Sequence, residues 1–90
     1  MIKDIQVFKA ISQDEDTKLE TQYCVAFELS QIDAISEDAR PDWQNKESKT
    51  SIFLMSGLEI TILENFHNIL NLWQAFKIQQ AQACNTYKLN

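Results

Sequence analysis

Regular alternation of apolar and polar residues is clearest from Thr21 to Leu29, where every second side chain is large and apolar. A period of two in a segment with aromatic and β-branched residues predicts a strand that is buried on one face. The segment from Ile2 to Ile11 has apolar side chains on both faces, which predicts a strand covered on both sides for part of its length. Between these two strands, Ser12 to Glu20 shows no period, and we expect a solvated loop there.

A β-hairpin is predicted around Gly57, the only glycine in the chain. Its strands would run from Ile52 to Met55 and from Leu58 to Leu63. A two-residue turn made of Ser56 and Gly57 would use the positive φ that primed hairpin turns require. This register places five apolar side chains on one face of the hairpin, namely Phe53, Met55, Leu58, Ile60 and Ile62.

The period changes to that of an amphipathic helix after Asn65, and this helix is predicted to end near Cys84. Asn65 is a favourable N-cap residue, and the Glu64 carboxylate beside it suits the positive end of the helix dipole. The polar face of the helix carries asparagine and glutamine, where most solvated helices carry glutamate and lysine. We expect the apolar stripe to share one core with the hairpin, made of Phe53, Met55, Ile60, Ile62, Phe66, Ile69, Leu70, Trp73 and Phe76.

The middle of the chain is less regular. Ser30 to Ile35 leaves two alternatives open, a single helical turn capped by Ser30 or a short strand. Ser36 to Lys49 is predicted to be the longest loop and contains the only proline. The whole order predicts a single α+β domain over residues 1–90, in which one long C-terminal helix packs across one face of a small antiparallel sheet of four to five strands.

Two stretches of the chain resemble a known family in the order of their predicted elements. They are FELSQIDAISED, from Phe27 to Asp38, and TSIFLMSGLEITILENFHNILNLW, from Thr50 to Trp73. On Ile32, Ile35, Gly57 and the helix start at Glu64 and Asn65, the chain resembles the small flagellar proteins of the FlbD type. The resemblance covers about half of the chain. It implies an architecture of strand, loop, strand, glycine-containing turn, strand and helix, and only this architecture is carried over.

The chain is acidic, with a net charge of −5, and the acids are concentrated in its first half. Residues 1–48 carry eleven acids and five bases, whereas residues 49–90 carry two acids and three bases. Because binding to a phosphate backbone requires clustered lysine and arginine, we predict no direct binding of nucleic acid. The same charge favours a basic protein surface as the partner.

Few residues offer catalytic or metal-binding chemistry. Cys24 and Cys84 lie far apart in the sequence, and the single His67 has no second ligand at metal-site spacing. We therefore predict that the protein is not an enzyme and that it binds no metal and no cofactor. No apolar run approaches the roughly 18 residues of a membrane span, so we predict no membrane contact. With no signal sequence in view, the expected location is the cytoplasm, with reduced thiols.

These patterns lead to the hypothesis of a small non-enzymatic protein-interaction module. One version is a phage-type inhibitor that blocks a basic, nucleic-acid-binding host protein through its acidic loops. The alternative is an accessory or structural subunit, or a self-associating regulatory domain that forms a homodimer. These two versions differ in salt dependence, because only the acidic loops bind through charge.

Two surfaces are candidates for the partner. One is the acidic first half with Trp43, which either tucks over the sheet edge or serves as an exposed contact anchor. The other is the neutral polar face of the helix. The candidate partner-binding residues are Asp14, Glu15, Asp16, Glu37, Asp38, Asp42, Trp43, Gln74, Gln79 and Gln82.

Overall fold

The computed structural model describes the backbone of residues 1–88 and the side chains of residues 1–83. The predicted α+β fold, an antiparallel sheet with one C-terminal helix, is confirmed. Between Ser30 and Ile35, the strand alternative forms, from Ile32 onward. The helical turn lies earlier, at Leu29–Gln31, with Ser30 inside it and no side chain capping it, so the predicted Ser30 cap was wrong. The elements are β1 (Ile5–Gln13), β2 (Glu20–Glu28), a 3₁₀ turn (Leu29–Gln31), β3 (Ile32–Glu37), β4 (Thr50–Leu54), β5 (Glu59–Ile62) and α1 (Phe66–Lys88).

The sheet is strongly curled. Its strand order is β2-β1-β5-β4-β3, so β2 and β3 form its two edges, yet they are consecutive in the chain. Five strands in a flat sheet would separate these edges by about 19 Å, whereas the 3₁₀ connection spans only about 8 Å. The turn is bonded on both sides, because the Leu29 N–H donates to the Asp4 carbonyl and the Met55 N–H donates to the Gln31 carbonyl, each at 2.8 Å. The two edges therefore meet at this corner.

The core lies on the concave face of this curled sheet, and α1 covers it. Two side chains of α1, Ile69 and Phe76, are buried there, while Leu72 and Trp73 pack against the cluster at its border. Aromatic packing continues within the sheet, where Phe8 and Phe27 stack with ring centroids 5.6 Å apart. The buried sheet and turn members of the cluster are Ala10, Phe27, Leu29, Ile32, Ile52, Ile60 and Ile62.

The hairpin register differs by one residue from the predicted register. Gly57 donates to the Leu54 carbonyl and Leu54 donates to the Leu58 carbonyl, both at 2.9 Å, so the loop has three residues and not two. Phe53 then pairs with Glu59. Because a slip of one residue turns every side chain to the other face, Phe53 leaves the core, and Met55 and Leu58 are exposed. The prediction that these three side chains share the core face was wrong.

The start of α1 follows the prediction. The Asn65 carboxamide oxygen accepts from the amides of His67 and Asn68, at 2.9 and 3.3 Å, and so caps the first turn. The helix extends to Lys88, beyond the predicted end at Cys84. Phe66 and Leu70 are half-buried and lie outside the core cluster, which corrects their predicted place in it. The helix turns the Ile69 side of its surface toward the sheet.

Candidate protein-interaction surfaces

The long loop of residues 38–49 folds against the convex face of the sheet. Trp43 is only 5% exposed and lines the same cleft as Ile11, which is 2% exposed. The second face of β1 is thus covered at the Ile11 end, while Ile5 and Val7 at the other end stay exposed. Of the two predicted alternatives for Trp43, the structure shows packing against the sheet. Trp43 is not available as an apolar anchor for a partner.

Asp38 organises this loop around Trp43. Its Oδ1 accepts the Trp43 indole N–H at 3.2 Å, and its two carboxylate oxygens accept Nε and one terminal nitrogen of Arg40 at 3.0 and 2.7 Å. The Arg40 guanidinium lies 4.9 Å from the centroid of the Trp43 ring. The hydrogen bonds from Arg40 hold the pKa of Asp38 below its usual value, against the opposing effect of burial. The Asp38 side chain is 4% exposed, so its charge is used within the loop.

Lys49 contributes a buried cation at the end of the same loop. The residue is 4% exposed, and its Nζ donates to the carbonyls of Asn45 and Glu47 at 2.6 and 2.9 Å. The same nitrogen lies 5.1 Å from the centroid of the Trp43 ring. Buried charges are stable only where hydrogen bonds replace their hydration, and these two carbonyls do so. Lys49 therefore helps to fix the loop.

Glu20, the first residue of β2, ties the loop that follows β3 to the other edge strand of the sheet. Its two carboxylate oxygens accept the backbone amides of Gln44 and Asn45 at 2.6 and 2.9 Å, and the side chain of Gln13 donates to it at 3.2 Å. Burial works to raise the pKa of Glu20, but these backbone amides outweigh it and lower the pKa below its usual value. Glu20 thus holds the middle of the loop of residues 38–49, while Asp38 and Lys49 are bonded at its two ends.

At the tip of the β1–β2 hairpin, one of the three acids, Asp14, stabilises the turn itself. The Asp14 carboxylate accepts the amides of Asp16 and Thr17, each at 2.9 Å, and the Thr17 amide is the main reason why the pKa of Asp14 is lowered. Lys18 closes the turn with a positive φ of 62°. Glu15 and Asp16 remain exposed to solvent. Asp14 is exposed as well, but one of its carboxylate oxygens is engaged by the turn.

An acidic cleft forms between this hairpin tip and the long loop. Glu15, Asp42 and Glu59 line it together with the basic side chains of Lys18 and Arg40. The Lys18 ammonium lies 3.9 Å from the Asp42 carboxylate, and both side chains are about half exposed. The structure thus brings two of the predicted acids, Glu15 and Asp42, to one place.

Glu37 and Asp38 do not line this acidic cleft, although Asp38 bonds to Arg40 and Trp43, which do. They line a different depression, beside Lys49 and the start of α1. The predicted acidic segments of the first half of the chain are therefore divided between two places on the surface.

A second surface lies along α1, on the side that the sheet does not cover. Leu70, Trp73, Gln74, Lys77 and Ile78 line an open apolar groove there. Ile78 is 59% exposed, and the Lys77 ammonium lies 5.7 Å from the centroid of the Trp73 ring. We call the row that runs through this groove the outer ridge. Its members follow one another at intervals of four residues and are Phe66, Leu70, Gln74, Ile78 and Gln82.

The three glutamines predicted on the helix have different surroundings. Gln74 lies in the groove, and Gln82 is an exposed residue further along the same ridge. Gln79 lies on another side, where its amide pairs with both the N–H and the carbonyl of Ile2 at 2.8 Å. Gln79 therefore fastens the N-terminal segment to α1. The sequence prediction missed Ile78, although its spacing of eight residues from Leu70 was visible.

Comparisons with known proteins give no match from which a function could be inferred. No protein-family model matches the chain, and neither a curated protein nor a solved structure matches it. Within residues 1–83, no group of three histidine, cysteine or acidic side chains is placed to hold a metal ion. In the described part of the chain, α1 is not apolar enough over its length to cross a membrane.

Proposed function

We propose that this protein is a small non-enzymatic protein-interaction module and that it docks a partner protein through the outer ridge. The observation that carries the proposal is the open groove in which Leu70, Trp73 and Ile78 present apolar surface on a rigid helix. Large aromatic and aliphatic side chains in such a setting supply most of the binding energy of protein interfaces. A helix also presents them with little loss of conformational entropy on binding.

The titratable groups support a structural role for the rest of the surface. Displaced pKa values often mark catalytic groups, but structural hydrogen-bond networks displace them as well. Here the carboxylates of Asp14, Glu20 and Asp38 owe their lowered pKa values to amides and to Arg40 within the loops that they build. These carboxylates act as loop supports, which agrees with a module that binds without catalysing a reaction.

The test is a comparison of proteins captured by the full-length chain and by two single variants. Ile78→Gln removes an apolar side chain from the outer ridge. Leu58→Gln is the control and removes one beside the hairpin loop. The two side chains are similarly exposed, 59% for Ile78 and 56% for Leu58. We expect a partner that binds the unmodified chain to be lost with Ile78→Gln and retained with Leu58→Gln. Equal retention by both variants would contradict docking through the ridge.

A second candidate is the inhibitor of a basic, nucleic-acid-binding protein. The acidic cleft supports it, because Glu15, Asp42 and Glu59 face one opening. Charge reversal of Glu15 and Asp16 to lysine would then slow association and flatten its dependence on salt, because exposed charges mainly steer the encounter. An association rate unchanged by these reversals would remove this candidate.

A further inference from the structure

We infer that the partner of the outer ridge is a second copy of this chain, which crosses the first copy in antiparallel orientation with the two-fold axis at Gln74. The inference rests on the proposed function, since it names the partner of the same surface. It also predicts which residues meet across the axis.

The central part of the outer ridge is symmetric about Gln74. Leu70 and Ile78 are apolar and lie four residues before and four residues after it. A two-fold axis at Gln74 places Leu70 of each copy against Ile78 of the other copy, so two apolar contacts form at once. This reciprocity is what an interface between identical chains requires. The Gln74 carboxamide has both donors and an acceptor, so the two carboxamides can bond to each other across the axis.

The geometry of the row matches a common way of packing helices. Side chains four residues apart form ridges, and two such ridges interlock when the helix axes cross at about −50°. Phe66 and Gln82 lie eight residues from the axis, about 12 Å along the helix, and stay outside the contact where the helices diverge. The core residues Ile69 and Phe76 stay on the sheet, so the dimer needs no change in the fold.

The distribution of charge favours a copy of the same chain at this face. Two chains with a net charge of −5 repel one another, but all thirteen acids precede α1, and the outer ridge itself carries no charge. The nearest charges are the two Lys77 ammonium groups, which are about 9 Å apart along the helix direction. That separation is about one screening length at physiological salt. A basic partner would find no acid on the ridge.

The size of the contact sets the affinity to expect. Two crossing helices bury on the order of 400 Å² per copy, about half of what a standard interface buries. The dimer should therefore be weak, with a dissociation constant of tens to hundreds of micromolar. Because the contact is uncharged, its affinity should change little with salt, unlike an association through the acidic cleft.

The first experiment is sedimentation equilibrium of the full-length chain from about 10 to 500 μM at low and high salt. We expect the average mass to rise above the 10.5 kDa of one chain toward twice that value, equally at both salt concentrations. Ile78→Gln should weaken the dimer at least about ten-fold, and Leu58→Gln should leave it unchanged. Circular dichroism of each variant confirms that the fold is retained.

The second experiment tests the position of the axis. In a background with Cys24→Ser and Cys84→Ser, Gln74→Cys should form a disulfide-linked dimer rapidly, because residues on the axis come within bonding distance of their own copies. Asn71→Cys is the matched control, since it is exposed on the same helix but lies three residues from the axis. Equal rates of crosslinking at both positions would overturn the proposed pairing.

The outcomes separate this inference from the proposed function. A chain that stays monomeric to 500 μM, or a dimer that Ile78→Gln does not weaken, overturns the inference of a second copy. In either case the proposed function still stands if Ile78→Gln loses a different captured protein that Leu58→Gln keeps. If the chain stays monomeric and the capture comparison also shows no difference between Ile78→Gln and Leu58→Gln, the outer ridge is not a docking surface at all.

Discussion

At the scale of single residues, the buried polar groups of the long loop are engaged with one another. Asp38 accepts from Arg40 and Trp43, and Lys49 donates to two backbone carbonyls. Each of these groups loses its hydrogen bonds to water on burial. A hydrogen bond within the protein replaces them. The polar character of this loop therefore reflects its internal structure more than its readiness to bind a partner.

The indole N–H of Trp73 is an exception among the described residues, because it is buried and has no acceptor there. An unpaired buried donor lowers stability. The Trp73 ring also lines the groove of the outer ridge. Its apolar surface is thus the feature that the docking proposal uses.

Asp38→Asn should lower stability and make it less sensitive to acid. The hydrogen bonds from Arg40 favour the charged carboxylate, so the folded pKa lies below 3.8 and the unfolded chain takes up the proton first. This stabilisation is complete above about pH 5 and is lost as the pH falls through 3.8 toward the folded pKa. We expect the variant to lose roughly 1–3 kcal/mol at pH 7 and much less at pH 3.

Urea unfolding at pH 7, 5, 4 and 3 measures this difference. Asp33→Asn serves as the control, because Asp33 is an exposed carboxylate on the neighbouring strand. If Asp38→Asn and the unmodified chain lose stability in parallel across this pH range, the Asp38 network does not contribute as described.

At the scale of elements, the turn of the hairpin decides which face of two strands is buried. Gly57 has a φ of +92° and completes a three-residue loop. That loop length aligns Ile52 with Ile60 on the core side. Positive φ is a region that side chains with a Cβ atom rarely adopt, so glycine is needed for this register.

Gly57→Ala should therefore destabilise the protein by about 1 kcal/mol through backbone strain alone. A Cβ atom added at this position would meet nothing within 4 Å, so no steric clash adds to the cost. Ser56→Ala in the same loop should change stability by less than about 0.5 kcal/mol. Thermal unfolding of the two variants gives the comparison, and equal stability would argue against the observed turn.

The two sides of α1 should respond differently to truncation. Ile69 is 2% exposed in the core, whereas Leu70 is half-buried on the outer ridge. We expect Ile69→Ala to cost about 2–5 kcal/mol of unfolding free energy and Leu70→Ala less than about 1.5 kcal/mol. Chemical denaturation of both variants at low concentration, where the chain is monomeric, is the measurement. A larger loss for Leu70→Ala would show that α1 is rotated relative to the sheet.

At the scale of the whole molecule, the two faces of the sheet are covered by different means. The concave face is closed by α1 and by apolar packing, and one end of the convex face is closed by the loop of residues 38–49. Glu20 connects that loop to the sheet across 24 and 25 residues of sequence. Residues 80–83 of α1 are exposed, so the helix extends past the core.

Glu20→Ala should release the long loop without unfolding the sheet. Its carboxylate is the acceptor for the Gln44 and Asn45 amides, so both amides should lose at least about ten-fold of their protection from hydrogen exchange. Amides of β4 and β5 should exchange at unchanged rates. Exchange followed by NMR resolves these sites, and unchanged protection at Gln44 and Asn45 would show that other contacts hold the loop.

The sequence by itself determined the kinds and order of the elements, except from Ser30 to Ile35, where it left a helical turn and a strand open. The alternation in β2, the Asn65 cap and the amphipathic period of α1 depend on neighbours within a few residues, so they can be recognised locally. The concave side of β2, with Val25 and Phe27, was predicted correctly for that reason. Two of the ten candidate binding residues, Gln74 and Gln82, lie on the outer ridge.

The tertiary structure decided the facing of these elements. The sequence predicted a two-residue turn, whereas the pairing of Leu54 with Leu58 in the folded sheet gives a three-residue loop and selects the face that carries Ile52. Trp43 had two interpretations until Asp38 and Glu20 fixed the loop over Ile11. On α1, several apolar side chains competed for the core. The curl of the sheet selected Ile69 and Phe76, and it left Leu70 and Ile78 on the outside, because contacts between distant segments set which side of a helix is covered.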